Sequence, residues 1–396
     1  MRILFVVPHL PHPTQGGAAM RNWHLIHAAS VGGHIVHLIT PDIFQAGLDG
    51  SPRPLMLPAY RRTFARRVRD LVLSREPDLT RRLGAHRVQP EIVRRCRDDG
   101  YDLIQVEGLE MWPSIPAMDV PIIYDAHNAE ATLQRRMARQ AWRDRRFIRA
   151  AYSAIQARKL RRYEASVMWR ARYTLAVSDA DAAHLHPLDP DALVRIVPIG
   201  VDTVHYSPNA VGTPIDQTDV VFTGTFDYRA NEDAAAWFVT QVWPRIRCAR
   251  PAARCALVGR NPSAKLRANN GRNGITVTGS VPDDRPFMAA ASVYVLPIRF
   301  GAGVRVKLLN AMSMGCAIVA TPAACEGVAI LEGKEVVMVA PDATCFANSV
   351  RALLDDPKRR VALGSAARAS VSERYDWSVC TPTLLAIYAD MEHGNG

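Results

Sequence analysis

The stretch from Pro297 to Thr321, PIRFGAGVRVKLLNAMSMGCAIVAT, sets two glycines, Gly301 and Gly303, before two cations, Arg305 and Lys307. Glycines let a backbone wrap close to a ligand. An apolar run precedes them and a helical run follows, so the cations fall in the first turn of a helix. Unpaired N–H groups and the positive end of the helix dipole favour anions there. Two cations at that end make a diphosphate site; a surface helix with incidental charges is the competing reading. Asn310 lies one turn past Lys307 and shares its face. Its amide donates and accepts but carries no charge.

Three other stretches carry chemistry. In PHLPHPTQGGAAMRNW, Gly16 and Gly17 open the first helix after the first apolar run. The spacing departs from G-x-G-x-x-G and no acid follows at the dinucleotide distance, which argues against NAD; a plain turn is the alternative. In YDAHNAEATLQRR, His127 follows a strand end, where an imidazole can hydrogen-bond a hydroxyl or carry a proton. Asp125 and Glu130 flank it and also suit a helix start. No H-E-x-x-H and no Ser/His/Asp order is present, so metal and acyl-transfer chemistry fit poorly. In VVFTGTFDYRANEDAAAWF, Gly224 and Thr225 end a strand, Asp227, Arg229 and Asn231 follow, and Trp237 and Phe238 read as core.

These loops need elements to hold them. Short, near-continuous apolar runs recur: RILFVVP, HIVHLIT, YDLIQVEG, PIIYDAH, RYTLAVS and RIVPIG, then DVVFTGTF, RCALVG, ITVTGSV, SVYVLPI, CAIVAT and VVMVAP. Runs of this kind fit strands of a parallel sheet covered on both faces. Helical spacing between them predicts an α/β fold with right-handed crossovers. The series restarts after IGVDTVHYSPNAVGTPIDQTD, which has no periodicity and reads as a linker. The expected architecture is two doubly wound, Rossmann-like domains, residues 1–204 and from 205 on, facing one cleft. Ligands in such sheets bind beyond the carboxyl ends of the strands.

Bulk properties agree with a folded chain of two domains: 396 residues, 48% hydrophobic and 22% charged. The seven cysteines include no C-x-x-C and read as reduced, buried, structural thiols of a cytoplasmic protein. MRILFVVPHLPHP is broken by prolines and lacks a cleavage site, and no window reaches the roughly 18 apolar residues of a membrane span. The net charge of +11 concentrates in YRRTFARRVRD, TRRLGAHRVQPEIVRRCRDD and QRRMARQAWRDRRFIRAAYSAIQARKLRRY. These stretches are either solvated helices or a face for anionic lipid. Without zinc-finger spacing or an aromatic RNP run, nucleic acid is not expected.

Taken in order, the early GG, DAHNAE, AVSDADAAHL, VPIGVDTVHYSP, FTGTFDYRANEDAAAWF, TGSVPD and the Pro297–Thr321 stretch with its following EG resemble a GT-B glycosyltransferase. The kind is the retaining family four, close to the sugar transferases of exopolysaccharide clusters. The resemblance implies a final helix, from residue 377 to 396, crossing back to the first domain, so that the second spans 205–376. It implies a nucleotide-diphosphate sugar as co-substrate, no resident cofactor, and a metal-independent hexosyl transfer with retention. The acceptor would be a glycan, a lipid-linked sugar or a small molecule. The site would lie in the cytoplasm, with the inner membrane face as the alternative.

Gly16 and Gly17 would lie against donor phosphate and sugar. His127 would touch the sugar beside the reacting carbon. Arg305 and Lys307 would hold the diphosphate, and backbone near Ser280 and Val281 would bracket the base. The loop Gly301, Ala302, Gly303 and Val304 would cover sugar and phosphates. Gly224 and Thr225 join this donor set; Ser178, which closes a strand at the cleft, is a weaker candidate, and Glu326 in ACEGV reads either as structural or as cleft-lining. Relatives commonly carry two glutamates where this chain has Ala302 and Asn310. The second usually takes the ribose hydroxyls, so nucleotide binding is expected to be weaker by about 1–3 kcal/mol. A non-hydrolysing nucleotide-sugar epimerase and a nucleotide-binding pseudo-transferase remain as alternatives.

Overall fold

The computed structural model describes residues 1–13, 16–41, 62–212, 215–301 and 303–393. Ala302 lies outside the described residues, as do Tyr60 and Arg61 at the start of the first arginine-rich stretch.

All twelve apolar runs form strands. In the first half these are β1 (Arg2–Val6), β2 (Ile35–Ile39), β3 (Leu103–Glu107), β4 (Ile122–Ala126), β5 (Tyr173–Ala176) and β6 (Val194–Ile196). They pair parallel in the order β2-β1-β3-β4-β5-β6. In the second half they are β7 (Thr218–Thr223), β8 (Cys255–Val258), β9 (Ile275–Gly279), β10 (Ala291–Leu296), β11 (Ile318–Ala320) and β12 (Val337–Met338). Their order is β12-β11-β10-β7-β8-β9, again parallel. Every residue of β3 and β4 is buried, as expected where helices cover both faces of a sheet. Trp237 and Phe238 are buried core.

Each sheet reverses direction once, at β1/β3 and at β7/β10. Crossovers leave toward opposite sides at such a point, so the two loops diverge and open a crevice at the strands' carboxyl ends. Those loops carry Gly16 after β1, Gly224 after β7 and Gly301 after β10.

The chain divides into two compact units, Met1–Pro198 with Cys380–Gly396, and Ile199–Val379. Local pairing explains why the second unit begins at Ile199, the first residue of the stretch read as a linker. Val201 N–H donates to Tyr375 O at 2.8 Å, the Thr203 hydroxyl donates to Asp376 at 2.6 Å, and the Trp377 ring packs so tightly on Gly200 that an added Cβ would lie 2.6 Å from it.

The cysteines form no disulfide. Cys255, Cys316, Cys325 and Cys380 are buried, but Cys248 and Cys345 are exposed, which corrects the reading of the set as buried thiols. Both sit on helices outside the apolar strand runs on which that reading relied. No helix among the described residues is long and apolar enough to cross a membrane.

Candidate functional site

In the second unit the chemistry gathers at the β7/β10 reversal. The helix Val306–Ser313 starts there, with Arg305 as its N-cap and no acid in its first turn. Lys307 Nζ donates to Thr223 O at 3.1 Å, the last residue of β7, and to Asn231 Oδ1 at 2.8 Å. Asn231 in turn donates to Thr225 O at 2.9 Å. Gly224 makes this approach possible, because a Cβ there would lie 2.7 Å from Lys307 Nζ. Gly301 does the same for Arg305, whose Nη2 would lie 1.6 Å from an added Cβ. Gly303 has a φ of 76°, a backbone that favours glycine, and Val304 is half-buried beside it.

Burial, and then the charge of Arg305, push the Lys307 pKa down to about 7, with Asp284 pulling the other way. An amine held in this state gains its charge most readily when an anion arrives. Asp284 stands in the loop that Ser280 and Val281 open after β9. Burial first, then Asp283, raise its carboxyl above the ordinary range. Asn310 is buried, and its Oδ1 has no hydrogen-bond partner among the described residues.

The Thr225 hydroxyl accepts from Arg260 Nε at 3.2 Å. Asp227 accepts from Asn261 at 2.9 Å, and Arg229 stacks on Phe300. Glu326 ends a short helix and is half-buried.

The first unit holds a different group. Gly16 is the N-cap of the helix Gly17–Val31, with φ 76° and no side-chain cap, and the first turn carries no acid. One turn on, Arg21 reaches down to β4 and binds Asp125 with both arms, at 2.7 and 2.9 Å. Beside it Asn22 donates to Glu107 Oε2 at 2.9 Å in the amide orientation that satisfies its partners. Glu107 ends β3 and is fully buried. It receives Gln105 Nε2 at 2.7 Å and pairs with His127 Nε2 at 3.1 Å.

Charges here are strongly coupled. Burial and then the Asp125 charge lift Glu107 to about 7, against the pull of His127. Burial also disfavours the imidazolium of His127, but the bond to Glu107 and the charge of Asp125 outweigh it and hold its pKa above the ordinary value. Burial opposes the Asp125 charge too, yet Arg21 keeps that carboxyl below the usual range. Ligand atoms of Glu107, Asp125 and His127 lie within 4.8 Å of one another. A metal ion there would compete with Arg21 for an Asp125 oxygen.

The structure therefore brings Gly224, Thr225, Gly301, Arg305, Lys307 and Asn310 to one end of one sheet, and places Gly16, Gly17 and His127 in the other unit. Ser178 caps the helix Asp179–Leu185: its hydroxyl accepts from Asp181 N–H and donates to the Asp181 carboxylate. Sequence reasoning missed Glu107, Arg21 and Asp284. Two apolar runs that each carry an acid at or next to the strand end, VEG and YDAH, were a partial signal for the first, completed only by the β3/β4 pairing.

Two family models match the chain: Glycosyltransferase Family 4 over residues 15–205 and Glycosyl transferases group 1 over residues 217–356. A phosphatidyl-myo-inositol mannosyltransferase of Mycolicibacterium smegmatis is 29% identical over 238 residues, which cover 58% of this chain and 59% of the relative. The match thus spans less than two thirds of that relative's length. Among solved structures, sucrose-phosphate synthase from Thermosynechococcus elongatus superposes with a TM-score of 0.73 at 18% identity, covering 99% of each chain. Anabaena HepE in complex with UDP gives 0.62 at 14% identity, over 98% of this chain and 100% of the other. At these identities the two structures speak for the fold alone.

Proposed function

We propose that the chain is a GT-B glycosyltransferase, which its matches to two glycosyltransferase family models support, and that it moves a sugar from a nucleotide-diphosphate donor to an acceptor hydroxyl, with retention at the anomeric carbon. The observation that supports this most is the Lys307 amine. It is held at the β7/β10 reversal by Thr223 and Asn231, under Gly224 and beside a helix N-terminus.

In the proposed reaction the bond between the anomeric carbon and the diphosphate breaks, and the electron pair leaves on the diphosphate. The acceptor oxygen bonds the same carbon, and its proton passes to the departing diphosphate. Lys307, Arg305 and the helix N-terminus stabilise the leaving charge, so a metal is not required. For His127 we assign a hydrogen bond to a sugar hydroxyl, with Glu107 holding the ring. The acceptor class is a glycan or lipid-linked sugar, and the arginine-rich stretches of the first unit make a peripheral contact with an anionic membrane face.

The test is thermal shift against a panel of nucleoside diphosphates, followed by nucleotide-sugar turnover with and without acceptor. A bound nucleotide raises the melting point by mass action. Lys307 must be charged to hold a diphosphate, so binding takes up a proton and weakens as pH rises above about 7. A shift with one nucleotide, lost in Lys307→Ala and shrinking from pH 7 upward, is the expected result. No shift at any pH would remove the donor site. Asn310 favours one second reading, a nucleotide-binding protein without transfer, because its buried oxygen has no hydrogen-bond partner among the described residues and the resemblance implies a carboxylate at that position. A nucleotide shift without turnover, and turnover gained in Asn310→Glu, would establish that reading.

A further inference from the structure

On the first unit, the helices Glu130–Arg143 and Phe147–Arg170 pack as a hairpin. Beside it a groove of about 800 Å³ is lined by Arg135, Arg158, Arg161, Arg162 and His184, and no carboxylate lines it. Other arginines of this unit are neutralised: Arg62, Arg81 and Arg94 each meet a carboxylate within 3 Å. Among the described residues none meets Arg135, Arg158, Arg161 or Arg162. Unneutralised guanidinium groups converging on one groove recognise phosphate oxygens through paired, charge-assisted hydrogen bonds.

The hairpin tip decides where that phosphate comes from. Trp142, Phe147 and Ile148 are 65%, 55% and 88% exposed, and the Trp142 and Phe147 rings pack edge to face at 5.1 Å. Trp142 stands two helical turns from Arg135, and Phe147 three turns from Arg158, so tip and groove share one face of each helix. At 1.5 Å per residue the tip lies about 10 Å from the first groove arginine. On the same count Arg158 and Arg162 stand about 17 and 23 Å from Phe147, so a hairpin inclined to the membrane, its apolar tip sunk roughly 5–10 Å into the bilayer boundary, would lay the arginines along the headgroups.

We infer that the Arg135/Arg158/Arg161/Arg162 groove binds the phosphate of an anionic phospholipid headgroup, with Trp142, Phe147 and Ile148 inserted beside it. This deepens the membrane contact proposed above and rests on that contact alone, not on the transfer reaction. It turns a general attraction of charge into a site with a defined ligand class and a defined depth.

The test is co-sedimentation of the full chain with vesicles of phosphatidylglycerol in phosphatidylcholine, against phosphatidylcholine alone. The groove variant is Arg158→Gln with Arg162→Gln, and the tip variant is Trp142→Ala with Ile148→Ala. The charge-matched control is Lys358→Gln with Arg359→Gln, two exposed cations of the other unit. Melting curves confirm that each is folded. Each arginine near an anionic surface accounts for about a fivefold change in affinity. The groove variant should therefore lose roughly twenty- to thirtyfold, the tip variant should also lose binding, and the control should keep it.

Equal losses in groove variant and control would overturn the groove and leave a diffuse membrane contact. No binding of the wild type to either vesicle would overturn both. A melting-point rise with inorganic pyrophosphate, lost in the groove variant and without vesicle binding, would make the groove a free-anion site. Tighter binding to a single-stranded oligonucleotide than to vesicles would overturn the lipid assignment. The nucleotide shift that depends on Lys307 should survive in the groove variant, which separates this outcome from that of the transferase reading.

Discussion

The charge on His127 is set by a residue that no local motif marks. Glu107 sits 20 positions earlier and meets the ring at 3.1 Å only because β3 and β4 are parallel neighbours in a register that pairs Glu107 with Asp125. In the sequence it is the end of an apolar strand, so its chemistry was not legible before the strand order was known. Lys307 and Arg305 were legible, because glycines, cations and a helix start fall within one short stretch; the route of Lys307 back to β7 through Asn231 was not.

Glu107→Gln should lower the His127 pKa toward the ordinary imidazole value, since it removes the hydrogen-bonded charge that opposes burial. Stability should respond as well. Glu107 titrates near 7 in the fold against 4.5 for an ordinary glutamate. As pH rises through that window the unfolded chain releases a proton that the fold keeps, and stability falls. In the variant this fall should be shallower. Imidazole titration by NMR and urea melts across the window check both; an unchanged His127 titration would show that Glu107 does not hold the ring's charge.

At the scale of elements, the strands were legible and the helix ends were not. Twelve near-continuous, β-branched runs became twelve strands because burial on both faces leaves a one-dimensional signature. The helix Glu130–Arg143 shows the opposite case. The sequence offered Asp125 or Glu130 for its start, but Asp125 is taken by Arg21, and Ala129 at the N-cap has no side chain to give. The cap comes from Glu164, buried on the next helix. Its two oxygens accept the N–H groups of Glu130 and Ala131 at 2.7 and 2.9 Å. Burial lifts that carboxyl to about 8 despite the two donors.

Removing both acceptors leaves two half-buried N–H groups without their partner, which costs about 2–4 kcal/mol. Glu164→Ala should therefore lower the unfolding free energy from urea melts by that amount and open the first turn of the Glu130–Arg143 helix to hydrogen exchange. Glu164→Gln keeps one acceptor and should fall between wild type and Ala. Equal stability of Ala and wild type would mean that water replaces the cap.

At the scale of the whole molecule, the two restarting α/β series were legible in the apolar runs, and a last helix returning to the first domain was expected from the resemblance alone; the contacts that build it in were not legible. From Cys380 onward the chain belongs to the first unit. Leu384, Ile387, Tyr388 and Met391 are buried there. Leu385 lies against Gly32, where an added Cβ would come within 2.8 Å of it, and Glu392 pairs with the N-terminal amine at 3.0 Å. The Tyr388 hydroxyl donates to Gln105 Oε1, and Gln105 donates to Glu107. The last helix thus supports the carboxylate network from below, through partners 283 positions apart in the chain, a distance at which no sequence pattern carries information.

Burying Leu384, Ile387 and Met391 contributes about 1.5–3 kcal/mol each, a large share of the 5–15 kcal/mol that stabilises an ordinary domain. A chain ended after Val379 should therefore lose the first unit selectively. In hydrogen-exchange mass spectrometry, peptides from β1 to β6 should exchange freely while those from β7 to β12 keep wild-type protection. Tyr388→Phe is the milder version: it should cost about 1–3 kcal/mol by leaving the Gln105 carbonyl unpaired, and should shift the His127 titration through Glu107. Full protection of β1 to β6 in the shortened chain would show that the first sheet folds without its last helix, and would remove the C-terminus from the support of the site.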